Sequence, residues 1–130
     1  MNDILVPVSP GELLDKITIL RIKAARIADS AKLANVRLEL QLLERIWLEA
    51  SAGAPLADEE RTLQAVNARL WDIEDRIRDK EAAGSFDQEF IELARSVYLA
   101  NDERATVKRR VNLALGSRLV EEKSYRPYRR

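Results

Sequence analysis

The sequence predicts an all-α domain, an antiparallel bundle of about five helices behind a short extended segment. Three observations carry that reading. Apolar residues recur at intervals of three and four over nearly the whole chain, the pattern of helices that each bury one face. The single β-branched run, Asp3-Ile4-Leu5-Val6-Pro7-Val8, holds a proline that bars it from a central strand. Turn signals are few and short, which makes neighbouring helices antiparallel. With 130 residues and no internal repeat, the chain is one domain, residues 1–130, able to bury a core without staples.

Residues 1–8 are an extended lead-in, expected to lie along the helices. Ser9-Pro10-Gly11-Glu12 starts the first helix, with Ser9 as N-cap, Pro10 at the first helical position and Glu12 closing a capping box. Its buried stripe is Leu13, Ile17, Leu20, Ala24 and Ile27. Asp29-Ser30 is a weak break, so a tight hairpin competes with one long kinked helix. The hairpin is preferred, because the second helix, Ala31 to Ala50, also has a wide apolar face: Leu33, Val36, Leu40, Leu43 and Trp47, broadened by Leu38, Leu42 and Ile46.

Ser51-Ala52-Gly53-Ala54-Pro55 is the clearest loop, and Asp58, Glu59 and Glu60 then put negative charge in the first turn of the third helix. Leu63, Val66, Leu70, Ile73 and Ile77 form the stripe of that helix, which stops near Gly84. Ser85 or Asp87 caps the fourth, whose face is Phe86, Phe90, Leu93, Ala94 and Val97. Asn101-Asp102 supplies a kink or the cap of a fifth helix with Ala105, Lys108, Asn112, Leu115 and Leu119 on one stripe. That helix ends at Gly116 or continues to about Glu122. The basic tail, residues 123–130, contains Pro127 and is expected to be irregular.

Composition narrows the chemistry. Without cysteine or histidine, the chain has no disulfide, no thiolate or imidazole metal ligand, and no Ser-His-Asp or Cys-His nucleophile. No apolar run approaches the roughly 20 residues of a membrane span, and the start lacks a signal-peptide pattern, so a cytoplasmic protein is expected. The net charge of zero hides an asymmetry. Residues 58–92 carry five basic and eleven acidic residues, residues 93–130 ten basic and four acidic. These segments are expected to neutralise each other within the fold or across a dimer rather than to bind DNA.

Several stretches carry a resemblance: Pro7-Val-Ser-Pro-Gly-Glu-Leu-Leu-Asp-Lys-Ile-Thr-Ile-Leu20, Leu70-Trp-Asp-Ile-Glu-Asp-Arg-Ile-Arg78, Phe90-Ile-Glu-Leu-Ala-Arg-Ser-Val-Tyr98 with the following Asn-Asp-Glu-Arg-Ala and Lys-Arg-Arg-Val-Asn, and Leu119-Val-Glu-Glu-Lys-Ser-Tyr125. Together they resemble an uncharacterised family of small helical bacterial proteins, a domain of unknown function. The middle and end are also similar to a second uncharacterised bacterial family. Neither resemblance implies an activity; it implies only a bacterial surface-polysaccharide context.

Two polar rows stand out as a candidate site. Asn67, Trp71, Glu74 and Arg78 flank the stripe of the third helix, and Asn101, Arg104, Lys108 and Asn112 run along the fifth. Lys108 and Asn112 interrupt an apolar stripe, and buried polar groups need partners. Glu74 or Asp75 is the expected partner of Lys108. The rows are a buried network that fixes helix register, a ligand groove, with Trp71 stacking on a sugar or base and Lys108, Arg104 and Arg109 holding a phosphate, or simply solvent-exposed. A Mg²⁺ site built on Glu89 and Glu92 with Asp102, or on Glu74 with Asp75, is a further possibility, but Glu74 and Arg78 are placed for a simple i,i+4 ion pair. The tail cations Lys123, Arg126, Arg129 and Arg130 suit a solvated terminus or a strap better than RNA or a membrane surface.

The leading functional expectation is a non-catalytic interaction protein that binds a protein partner or forms a homodimer. The alternative is a binder of a phosphorylated or nucleotide-linked sugar in an interhelical groove. A nucleotide pyrophosphohydrolase comes third, and neither a metal nor a cofactor is expected.

Overall fold

Four helices, not five, make up the computed structural model, which describes residues 2–128. They are α1 (Pro10–Arg26), α2 (Ser30–Ala50), α3 (Ala57–Ala83) and α4 (Gln88–Ala114). There is no strand among the described residues.

Local chemistry sets most of the boundaries. The Ser9 hydroxyl accepts the Glu12 N–H at 3.2 Å and Pro10 opens α1. The Asp29 carboxylate accepts the Lys32 N–H at 2.9 Å, so the weak break is a real cap and α2 turns back as the hairpin requires. Trp47, near the end of α2, shares a core with Leu13, Leu14 and Ile17 near the start of α1. Gly84 ends α3 in the left-handed conformation at φ 64°, with the Ser85 N–H reaching the Lys80 carbonyl at 2.9 Å. Asp87 then caps α4 through the Phe90 N–H at 3.0 Å.

The fourth and fifth predicted helices are one. Asn101 and Asp102 lie inside α4, and neither side chain caps a new helix. Asn101 accepts from Arg104 at 3.4 Å, while Asp102 accepts from Tyr128 at 2.5 Å. Leu93, Ala100, Val107 and Val111 form one continuous buried stripe, and breaking the helix would take it apart. Of the predicted stripes, Leu93, Lys108 and Asn112 are buried and Val107 and Val111 join them, while Phe86 and Leu119 fall outside α4 and are exposed. α4 ends at Ala114, Gly116 takes φ 63°, and the Ser117 N–H closes the turn on the Asn112 carbonyl at 2.9 Å.

α1 is the hub, packing against each of the other three helices. α3 and α4 pair along their length, tied by Arg69 to Glu103 at 2.5 Å, Arg76 to Glu89 at 2.6 Å and Lys80 to Asp87 at 2.8 Å. These pairings run antiparallel. The α2 backbone, however, approaches α1 alone, and α2 reaches the core shared with Leu63 and Val111 chiefly through Trp47, so the helices do not close evenly around one axis. The lead-in differs from expectation too: Ile4, Leu5, Val6 and Val8 are exposed rather than laid against the helices. The chain after Gly116 folds back along α4, with Glu121 beside Lys108 and Tyr128 beside Asp102. Arg129 and Arg130, part of the predicted basic tail, lie outside the described residues.

Candidate functional site

The chemistry concentrates where α1 meets α3 and α4. Gly11, Asp15, Thr18 and Ile22 recur along α1 beside its leucine stripe, and all four are buried. Asp15 is 2% exposed, so its charge must be matched. Arg104 on α4 supplies a two-pronged bond, Nε to Oδ1 at 2.8 Å and an outer nitrogen to Oδ2 at 2.5 Å. From α3, the Asn67 amide donates to Asp15 Oδ1 and to the Thr18 hydroxyl oxygen, both at 2.9 Å. The Thr18 hydroxyl itself donates to the Asp15 carbonyl at 2.8 Å. Burial pushes the Asp15 carboxyl up, but the bonds from Arg104 and Asn67 and the nearby Lys108 charge outweigh it and hold the group below its ordinary value.

One turn further along α4, Lys108 is gathered by acids from two directions. Its ammonium lies 2.7 Å from Glu12 on α1, 2.8 Å from Glu121 on the returning tail and 3.9 Å from Asp15. Burial lowers the Lys108 pKa, yet the bonds to Glu12 and Glu121 win and it ends above its ordinary value. Glu12 is lowered, first by its bond to Lys108. The acid of the predicted capping box therefore reaches across to α4. Asn112, fully buried, accepts the Gly11 N–H at 2.7 Å and so satisfies one of the free donors at the start of α1. A Cβ on Gly11 would stand 2.4 Å from the Lys108 carbonyl oxygen, so only glycine allows this approach.

The predicted rows thus divide. Asn67, Trp71, Glu74, Arg78, Asn101 and Arg104 line one groove of about 370 Å³ between α1, α3 and α4. Lys108 lies instead on a second cavity, about 540 Å³, under the tail, and Asn112 lines neither. Arg104 and Asn101 belong to both cavities. Glu74 pairs with Arg78 at 3.7 Å, as its spacing predicts, and so neither Glu74 nor Asp75 is the partner of Lys108. The Arg26 guanidinium stands 5.8 Å from the centre of the Trp71 ring while bonding Asp72 at 2.5 Å.

Residues 4–128 match a family of unknown function, DUF6165. The chain belongs to that family. No curated protein and no solved structure matches it.

Within this DUF6165 member, reading the sequence missed Gly11, Glu12, Asp15 and Thr18 on α1, and Glu121 on the tail, as site residues. A signal was available, because Gly11, Asp15, Thr18 and Ile22 keep helical spacing beside Leu14, Ile17 and Leu20. A polar row so close to an apolar stripe marks a boundary where partners must be found. Among the described residues no group of three or more carboxylates is arranged to hold a metal ion. Three of the acids proposed as ligands have other partners: Glu74 pairs with Arg78, Glu89 with Arg76 and Lys80, and Asp102 with Lys123 at 3.5 Å. No described helix is long and apolar enough to cross a membrane.

Proposed function

We propose that this DUF6165 protein is a non-catalytic interaction module that self-associates through α2. One observation carries the reading: the α2 backbone approaches no helix but α1 and leaves Leu38, Leu42 and Ile46, one turn apart on a single face, 61%, 45% and 53% exposed. A second copy suits that face because it is self-complementary. Antiparallel pairing about Leu42 sets Leu38 against the second copy's Ile46 and brings Lys32 within a turn of its Glu49, so both ends close with the same contacts. Sedimentation of the wild-type chain at micromolar concentration is expected to give a dimer, and Leu42→Glu a folded monomer, since a half-exposed position tolerates a charge. A wild-type chain that stays monomeric at tens of micromolar ends this reading.

A second reading rests on the 370 Å³ groove, where Trp71, Asn67 and Asn101 offer a flat apolar surface beside amides that donate and accept. Its ligand would be a phosphorylated or nucleotide-linked sugar. Such a compound at 100 times its dissociation constant raises stability by about 2.7 kcal/mol. The expected result is a rise in melting temperature that Trp71→Ala abolishes, and a panel of sugar phosphates and nucleotide sugars without any shift rejects it.

A further inference from the structure

The tail beyond Gly116 is seated like a ligand. None of residues 117–128 is buried. They are held by polar contacts spaced along α4: Glu121 on Lys108 at 2.8 Å, Lys123 on the Asn101 carbonyl at 3.3 Å, and Tyr128 on Asp102 at 2.5 Å, with the Tyr128 and Tyr98 rings edge to face at 4.5 Å. Beneath them remains the cavity of about 540 Å³, walled on the helix side by Tyr98, Asn101, Arg104 and Lys108. Lys108 is buried, but the strap's own side of each contact is exposed and stays open to water, so the strap can lift at small cost while the helical wall, fixed by Asp15 and Glu12, stays in place.

We propose that this wall is a docking groove for an extended segment of a partner protein and that residues 117–128 occupy it in cis. The seated strap defines the chemistry of the partner: an acidic residue for Lys108, a basic residue two positions later for the Asn101 carbonyl and Asp102, and a tyrosine five beyond that for Tyr98. Lifting the strap removes the Glu121 carboxylate and leaves Lys108 held by Glu12, with Asp15 nearby. An incoming carboxylate restores the missing contact. The groove lies on α4 and the dimer face on α2, so this inference stands or falls separately from self-association.

The test uses the full chain and fluorescein-labelled synthetic peptides, read by anisotropy. Glu121→Gln with Lys123→Gln in the chain loosens the strap without touching the wall, because both residues are exposed. A peptide copy of residues 117–128 is expected to bind this variant about tenfold more tightly than wild type, since the seated strap competes. The same peptide carrying Glu121→Gln is expected to bind about tenfold more weakly. In wild type, saturating peptide should also speed tryptic cleavage of the chain after Lys123, where serine follows. Equal affinity for the two chains, no binding by a variant that still melts cooperatively, or an unchanged cleavage rate overturns the proposal. Strap release by inorganic pyrophosphate with no peptide binding also overturns it, assigning the groove to small oxyanions.

Discussion

Gly11→Ala is expected to destabilise the fold by about 3–5 kcal/mol, as overpacking adds to the loss of a buried hydrogen bond. Helix propensity alone predicts the opposite sign, since alanine is favoured over glycine inside a helix by ~1 kcal/mol. Geometry reverses it. The added Cβ would stand 2.4 Å from the Lys108 carbonyl oxygen and 2.9 Å from Asn112 Oδ1. The first of these is backbone within α4 and cannot swing away. α1 must therefore back off from α4, stretching the 2.7 Å bond from the Gly11 N–H to Asn112 and the ion pairs of Glu12 and Asp15. Urea denaturation of wild type and Gly11→Ala measures the loss. Gly53→Ala is the control, because Gly53 has φ 79° but open space around its Cα, and it should cost only about 1 kcal/mol. A Gly11→Ala chain as stable as wild type would show that α1 and α4 sit further apart than described.

The motif around Gly11 shows how far the sequence could be read. The cap at Ser9, the proline at the first position and the stop at Gly84 are local devices, and they fall where local chemistry puts them. The hairpin between α1 and α2 follows from two wide apolar faces. What local chemistry cannot supply is which element a polar side chain meets. Lys108 was matched with Glu74 or Asp75 because those acids stood on the helix assumed to face it. In the fold α1 occupies that position, and Glu12 and Asp15 take the contact. Asn101-Asp102 misled for a related reason. Both are good capping residues, but a cap forms only where the helix gains by stopping, and the stripe from Leu93 to Val111 keeps it going. On α2, Leu38, Leu42 and Ile46 widen the apolar face beyond what one neighbour can cover, and they stay exposed together with Leu48.

Arg104→Met is the second large effect, and its meaning depends on a double-mutant cycle with Asp15→Asn. Removing the guanidinium strips Asp15 of both short bonds and leaves it 2% exposed, with only the Asn67 amide and a Lys108 ammonium 3.9 Å away. Breaking a buried pair from one side costs about 3–5 kcal/mol. Arg104 keeps some contact with water, so the lower end of that range is expected. Asp15→Asn restored alongside Arg104→Met removes the stranded charge and can still accept from Asn67, so the double variant should recover about 2 kcal/mol of the loss. Lys108→Met should cost less than Arg104→Met, because Glu12 and Glu121, 47% and 39% exposed, turn to water when their cation is gone. Acid titration gives an independent sign. The folded Asp15 carboxyl lies below its unfolded value, so the unfolded chain binds the proton more readily and stability falls with pH. That contribution is complete above the unfolded value of about 3.9 and is lost as pH drops through the lower folded value. Asp15→Asn should therefore be less stable than wild type at neutral pH and lose less on acidification. If both chains lose stability in parallel on acidification, and the cycle shows no coupling, the Asp15–Arg104 pair is not what holds α1 to α4.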